Sequence, residues 1–142
     1  MPLFRLITTG VFFVAFCVLA LAVNRVSADV QVRDYNGVAY VTGGVGADQQ
    51  EDIDRLAHNF SLKLTSATQD GHYLSGGNVT VKDAAGKTVL EVAGMGPILY
   101  ADLNPGTYTL FVEVASFSDQ IIERAVVIGA RQVVESFVWP GE

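Results

Sequence analysis

The chain is poor in cysteine, histidine and basic residues. Its 142 residues include one cysteine, two histidines and nine lysine or arginine residues against fifteen acidic ones. A single cysteine excludes a disulfide within the chain, so the fold must depend on its hydrophobic core. The acidic excess disfavours nucleic acid and anionic membrane surfaces as partners, because both would repel the chain. The histidines His58 and His72 lack a glutamate at metal-ligand spacing, and we expect neither a metal nor another cofactor.

The longest apolar run lies at the N-terminus and predicts a secretory signal peptide. Arg5 precedes the apolar stretch Leu6 to Val23, and Val26-Ser27-Ala28 has small residues at the positions that signal peptidase favours. We therefore expect a signal peptide over residues 1–28, cleavage after Ala28, and a periplasmic or secreted protein. The alternative is an uncleaved membrane anchor, because the apolar run approaches the roughly 20 residues that a membrane span requires.

Residues 29–59 predict an N-terminal extension with a strand, a glycine-rich turn and one short helix. We expect Asp29 to Asn36 to be irregular and Val38 to Thr42 to form a strand that ends at Gly43-Gly44-Val45-Gly46. Asp48 and Glu51 have the spacing of a capping box. Four apolar residues then recur at helical spacing: Ile53, Leu56, Ala57 and Phe60.

The polar residues of this extension are better explained by the helix than by a ligand. His58 would lie near the helix C-terminus, where the dipole favours a cation. The acidic first turn resembles a calcium loop only superficially, because Ile53 stands where that loop needs glycine. The glycine run lacks the lysine of a phosphate-binding loop. We expect neither calcium nor phosphate to bind here.

From residue 60 onward the apolar residues follow a period of two, which predicts a domain of short strands over residues 60–142. Asp83-Ala84-Ala85-Gly86-Lys87 predicts a hairpin loop with a left-handed glycine and a bulge. Asn104-Pro105-Gly106-Thr107 predicts a type II turn in which the glycine has a positive φ. After that turn, one apolar face is formed by Tyr108, Leu110, Val112 and Val114. The pattern predicts an all-β fold, a seven- to eight-stranded Greek-key β-sandwich with one short N-terminal helix.

The region Val79 to Trp139 resembles a carboxypeptidase regulatory-like domain, the transthyretin-like or prealbumin-like sandwich related in architecture to immunoglobulin domains. The resemblance rests on Val79-Thr80-Val81-Lys82-Asp83 with Gly86, on the LNPGTY sequence from Leu103 to Tyr108, and on Tyr73 to Gly77 before them. It implies an accessory module of peptidases, outer-membrane receptors or secreted proteins. We therefore expect a non-catalytic exported module that mediates protein–protein interaction in the cell envelope through its open sheet edges.

Two other functions stay open. Surface aromatic residues that stack on sugars would make the chain a carbohydrate-binding module. A transthyretin-like hydrolase is less expected, because the His/Arg site and the C-terminal tail of those enzymes are not matched here. No catalytic residue is predicted. The candidate binding residues are two neighbours in a loop and three aromatic residues in strands: His72, Tyr73, Tyr100, Phe111 and Trp139. In a two-layer sandwich some of these aromatics must belong to the core or lie beneath the helix.

Overall fold

The computed structural model describes residues 30–117 and 119–141, which form two β-sheets and one α-helix. In chain order the strands are β1 (Arg33–Tyr35), β2 (Val38–Gly43), β3 (Leu62–Thr68), β4 (Gly77–Asp83), β5 (Thr88–Met95), β6 (Ile98–Ala101), β7 (Gly106–Val114), β8 (Ile121–Ile128) and β9 (Val133–Trp139). Sheet A has the spatial order β1-β2-β6-β3-β9, and sheet B has the order β5-β4-β7-β8. The neighbouring strands are antiparallel except β3 and β9, which are parallel. The predicted all-β, two-sheet architecture with one helix is confirmed.

The described residues contain nine strands, one more than the upper expectation, and the additional strand is β1. The prediction that Asp29 to Asn36 is irregular is therefore wrong for Arg33–Tyr35, which pairs with β2. The turn between β1 and β2 consists of Asn36 and Gly37, with φ values of 47° and 90°. An Asn-Gly pair with both φ values positive is the strongest short-range hairpin signal. β1 and β2 extend sheet A beyond β6, so the predicted extension contributes strands to the sandwich itself.

The main hydrophobic core lies between the two sheets. Alternate residues of each strand are buried there, as the period of two requires. Tyr108, Leu110 and Val112, which were predicted to share an apolar face, all belong to this core. Several side chains from both sheets are fully buried in it, among them Leu62, Leu64, Val79, Val81, Leu90, Leu110, Val112, Phe137 and Trp139.

The segment Asn104-Pro105-Gly106-Thr107 carries the chain from sheet A to sheet B, between β6 and β7. The predicted type II turn is wrong, because Gly106 has no positive φ and is the first residue of β7. The Tyr108 hydroxyl instead donates a hydrogen bond of 2.7 Å to the carbonyl oxygen of Asn104. This arrangement is the tyrosine corner of β-sandwiches. The motif therefore marks the crossing between the two sheets, and the Tyr108 hydroxyl stabilises this crossing through its hydrogen bond to Asn104.

The loop between β4 and β5 has the predicted form. Gly86 has a φ of 81°, and the pairing register shifts between Val81 and Lys82, as a bulged hairpin requires. The Asp83 carboxylate accepts hydrogen bonds from the backbone N–H groups of Ala85 and Lys87, at 3.0 and 2.9 Å. β5 continues through Gly94 to Met95. The hairpin itself is confirmed.

The single helix, α1 (Ala47–Arg55), begins two residues earlier than a capping box at Asp48 would place it. Gly46 is the N-cap residue and Asp48 lies inside the helix, so the predicted capping box is wrong. The side-chain oxygen of Gln49 instead accepts a hydrogen bond of 3.1 Å from the backbone N–H of Val45. The helix ends at Arg55, where a 3₁₀ turn over Ala57–Asn59 follows.

The helix covers part of the outer face of sheet A. Ile53 of α1 and Phe60, just after the 3₁₀ turn, form a second buried cluster with Val41, Ile98 and Tyr100. Phe60 was predicted on the helix, but its backbone is extended, with φ −122° and ψ 144°. The helix is therefore shorter than its apolar spacing suggested, and Phe60 reaches the same cluster from the approach to β3.

The predicted signal peptide at residues 1–28 and its cleavage after Ala28 lie outside the described residues. Among the residues that the structure describes, none belongs to a helix with the length and apolar character needed to cross a membrane.

Candidate functional site

A small cleft opens at the end of the sandwich where β3 and β7 finish. We call it the end cleft, and six residues line it: Thr68, Asp70, His72, Leu74, Ser116 and Phe117. Its volume is about 330 Å³, near the lower end of the roughly 300–1,000 Å³ typical of ligand pockets. It contains one predicted site residue, His72, together with five residues that the sequence analysis did not single out.

A tight loop after β3 places polar side chains at the rim of the end cleft. The loop is closed by a backbone hydrogen bond of 2.8 Å from Thr68 to His72, and Gly71 within it has a φ of 88°. Hydrogen bonding by the Thr68 hydroxyl and by its own backbone N–H lowers the pKa of the Asp70 carboxyl. The His72 Nε2 atom lies 3.5 Å from an Asp70 carboxylate oxygen. The rim therefore presents a carboxylate beside an imidazole.

Aromatic rings form the inner wall of the end cleft. Phe117 lines the cleft and stacks on Trp139, with ring centroids 6.5 Å apart and an angle of 26° between the rings. Trp139 is fully buried and also contacts Phe137, at a centroid distance of 6.3 Å. Phe117 is only partly buried, so its ring links the core to the cleft.

Among the described residues, two buried polar side-chain atoms in the core near the end cleft form no hydrogen bond. Within the described part of the chain, the buried side-chain nitrogen and oxygen atoms without a partner are Ser66 Oγ and Trp139 Nε1. The backbone carbonyl of Ser66 accepts a hydrogen bond of 2.9 Å from Leu74, a cleft residue. Because Trp139 stacks on Phe117, both atoms belong to residues in direct contact with the cleft lining. Buried polar groups rarely lack a partner in native proteins.

Tyr73 follows His72 in sequence but does not line the end cleft. It forms an isolated β-bridge with Ala67, and its side chain is half exposed. Of the two candidate loop residues, His72 and Tyr73, only His72 therefore contributes to the end cleft.

The three candidate aromatics of the strands do not form one outward platform. Tyr100 is 1% exposed and Trp139 is 0% exposed, so neither ring offers a surface for stacking. Trp139 belongs to the core between the sheets, whereas Tyr100 lies beneath α1. The Tyr100 hydroxyl donates a hydrogen bond of 3.0 Å to Asp54, and burial raises the pKa of this hydroxyl. Both placements follow the expectation that some aromatics belong to the core or lie beneath the helix.

Of the three candidate aromatics in strands, Phe111 is the one that lies on an open surface. It is partly exposed on the outer face of sheet B, where the Lys82 ammonium lies 5.1 Å from its ring centroid. A shallow hollow of about 160 Å³ surrounds the ring and is lined by Asn78, Thr80, Phe111, Glu113 and Ile121. Asn78 and Glu113 are joined by a hydrogen bond of 3.1 Å.

Exposed apolar side chains collect on the last two strands. Most large exposed apolar residues of the described chain lie there: Ile121 and Val127 on β8, and Val134 and Val138 on β9. Ile121 and Val127 lie on the outer face of sheet B, whereas Val134 and Val138 lie on the outer face of sheet A. β8 and β9 are the edge strands of sheets B and A respectively. Edge strands with exposed apolar residues are prone to pair with another chain.

Arg124 of β8 covers one part of the edge of β9. Its guanidinium donates hydrogen bonds of 2.9 Å to the Glu135 carboxylate and to the Ser136 carbonyl oxygen, both on β9. It also lies 4.8 Å from the ring centroid of Phe137. Within the described residues β8 pairs only with β7. Among the described residues, the backbone edge of β8 that faces away from β7 is therefore open.

A second cleft, the opposite cleft, lies at the other end of β3. It measures about 500 Å³, and its lining includes His58, Asp102 and Arg131. His58 was predicted near the C-terminus of the helix but lies in the 3₁₀ turn. The Gln132 side chain caps this turn instead, by donating hydrogen bonds of 2.7 and 3.0 Å to the carbonyl oxygens of Ala57 and Phe60. The seven residues of β3 separate the two clefts by roughly 20 Å.

Sequence signals for most cleft residues were weak. Thr68-Gln69-Asp70-Gly71 has the sequence of an ordinary polar loop, and Phe117 stands between Ser116 and Ser118. An aromatic residue inside a polar turn was the one available hint. Across residues 30–117 and 119–141, no group of three or more His, Cys, Asp and Glu side chains is arranged to hold a metal ion. Comparison with known protein families and with curated proteins finds no match to this chain.

Proposed function

We propose that this protein is an exported, non-catalytic β-sandwich module that binds another cell-envelope protein through the open edge of β8. The observation that carries the proposal is the coincidence of an unpaired strand edge with exposed apolar side chains. Ile121 and Val127 are 63% and 70% exposed on that strand.

The backbone of β8 can form hydrogen bonds with an added strand. In an antiparallel pair, every second residue of an edge strand directs its N–H and C=O groups away from the neighbouring strand. β8 is eight residues long and pairs with β7 over its whole length. Its other edge is therefore long enough to form hydrogen bonds with an added strand.

The side chains of β8 indicate the composition of the strand that would pair with it. Ile121, Glu123, Ala125 and Val127 alternate with more buried residues, so they lie on the outer face of sheet B. A partner strand with apolar residues opposite Ile121 and Val127, and a basic residue opposite Glu123, would form favourable cross-strand pairs. We infer that the partner supplies an extended segment of this composition.

Crosslinking in intact cells tests the proposal. Tagged wild-type protein should yield a crosslinked adduct with a protein partner, and the double variant Ile121→Lys/Val127→Lys should lose most of that adduct. The reason is that two lysines on the outer face remove the apolar contacts and place charge at the interface. Val45→Lys is the matched control, because Val45 is 62% exposed but lies in the turn before α1.

An adduct that persists in the double variant would refute the role of β8, provided that both variants melt at the wild-type temperature. If the adduct is a second copy of this chain, its mass identifies it as a dimer. The mass of the purified chain also tests export, because cleavage after Ala28 leaves Asp29 as the first residue.

The assignment to the carboxypeptidase regulatory-like family is part of the same proposal. The matched region, Val79 to Trp139, runs from β4 to β9 and includes the tyrosine corner. The chain passes from the β4–β5 hairpin through β6 in the other sheet before returning to β7, which pairs with β4. This path supports a Greek-key connection.

Glycan binding is the second candidate function. Phe111 favours it, because this ring is partly exposed and has amide, hydroxyl and carboxylate groups around it. Aromatic rings with nearby polar groups suit ligands that combine an apolar face with hydroxyls. Oligosaccharides that bind here should raise the melting temperature of the wild type but not of Phe111→Ala. A panel that shifts neither protein would exclude this candidate.

A further inference from the structure

The end cleft combines one apolar wall with a polar rim. Trp139 covers part of the Phe117 ring from the core side, so the accessible part of that ring belongs to the cleft. Leu74 adds a second apolar residue to the lining. A flat ligand surface would gain contact with the ring while the buried Trp139 fixes the ring in place.

The rim supplies both acceptors and donors of hydrogen bonds. The Asp70 carboxylate accepts, the Ser116 hydroxyl does both, and the His72 imidazole donates or accepts according to its tautomer. Asp70 and His72 lie together, 3.5 Å apart, so one ligand can contact both groups. A pure hydrocarbon would leave these groups without partners, and an anion would be repelled by Asp70.

We propose that the end cleft binds a single sugar ring of a glycan, which stacks on Phe117 and donates hydroxyl hydrogen bonds to Asp70. A sugar ring unites the two properties that the cleft requires, an apolar face and several hydroxyl groups. The cleft volume of about 330 Å³ admits one ring rather than a long chain. This site is separate from the Phe111 hollow, and the proposal does not depend on glycan binding there.

The protein contains one tryptophan, Trp139, which makes the site directly observable. Because Trp139 stacks on Phe117, a ring bound against Phe117 should change the tryptophan emission. The probes are D-glucose, D-galactose, N-acetyl-D-glucosamine, maltose, cellobiose and diacetylchitobiose, titrated into the purified protein. At least one should produce a saturable change in emission.

Three variants separate the cleft from other surfaces. Asp70→Asn should weaken binding about tenfold, because it removes a charged hydrogen-bond acceptor. Asp102→Asn is the matched control in the opposite cleft and should bind as the wild type does. Phe111→Ala should also bind normally if the ring occupies the end cleft. All three positions are partly exposed or exposed, and unchanged melting temperatures would verify folding.

The outcomes distinguish the two claims. Binding that Phe111→Ala abolishes and Asp70→Asn leaves intact would overturn the end-cleft proposal while keeping glycan binding on sheet B. A panel that changes neither the tryptophan emission nor the melting temperature would overturn both. Neither result bears on protein binding through β8, which the crosslinking experiment tests separately.

Discussion

Tyr108 shows how one side chain decides the path of the backbone. Its ring is 9% exposed and packs in the core, while its hydroxyl binds the carbonyl of Asn104 four residues earlier. The same residue therefore anchors β7 and fixes the crossing from sheet A to sheet B. A hydrophobic phenylalanine would keep the first contribution and lose the second.

Tyr108→Phe should lower the free energy of unfolding by about 1 kcal/mol, the usual net value of one hydrogen bond. Urea denaturation measures the change. Tyr35→Phe, in the edge strand β1, is the matched control and should change stability much less. Equal stability of the Tyr108→Phe variant and the wild type would show that the corner does not depend on this hydroxyl.

The fate of individual aromatics was only partly predictable from sequence. Alternation along a strand indicates that two aromatic residues share a face, but it does not say which face is covered. Tyr100 is buried because α1 lies over it, and Trp139 is buried because β9 pairs with β3. Both facts depend on contacts between distant segments, which local spacing does not encode.

At the scale of elements, sheet A requires a close approach between two backbone segments. A Cβ atom on Gly96, just after β5, would lie 2.5 Å from the carbonyl oxygen of Gly43 at the end of β2. A side chain there would force backbone to move, because the nearest atoms belong to the backbone. Glycine at position 96 thus allows β2 to pass the β5–β6 connection.

Gly96→Ala should destabilise the fold by about 1–3 kcal/mol, the usual cost of overpacking. Gly129→Ala is the matched control, because a Cβ there meets no atom within 4 Å and Gly129 has no positive φ. That control should be neutral or stabilising by about 0.4–1 kcal/mol. Thermal or urea unfolding of the two variants provides the comparison, and equal stability would contradict the close approach.

Elements with local signals were predicted well, whereas those defined by distant partners were not. The β4–β5 hairpin was predicted because turn residues and alternation suffice to define it. The capping box at Asp48 failed because Gly44 and Gly46, with φ values of 97° and 85°, turn the chain into the helix earlier. The start of the helix therefore depends on the positive φ values of Gly44 and Gly46 and on the hydrogen bond accepted by Gln49. Neither feature follows from the spacing of residue types.

At the scale of the whole molecule, the end cleft and the edge strands β8 and β9 are assembled from different kinds of segments. The end cleft joins the loop after β3 to the turn after β7, two segments far apart in sequence. β8 and β9 are consecutive in sequence but are edge strands of different sheets. Sequence reasoning anticipated open edges in general, but the strand order is needed to identify β8 as an edge strand.

Amide hydrogen exchange along Ile121–Ile128 in the isolated protein tests the central claim that β8 is an unpaired edge available to a partner. The account predicts alternation, because amides bonded to β7 should exchange slowly and those directed away from it should exchange quickly. Uniform protection along the strand would contradict the account, since it would mean that the outer edge of β8 is already paired.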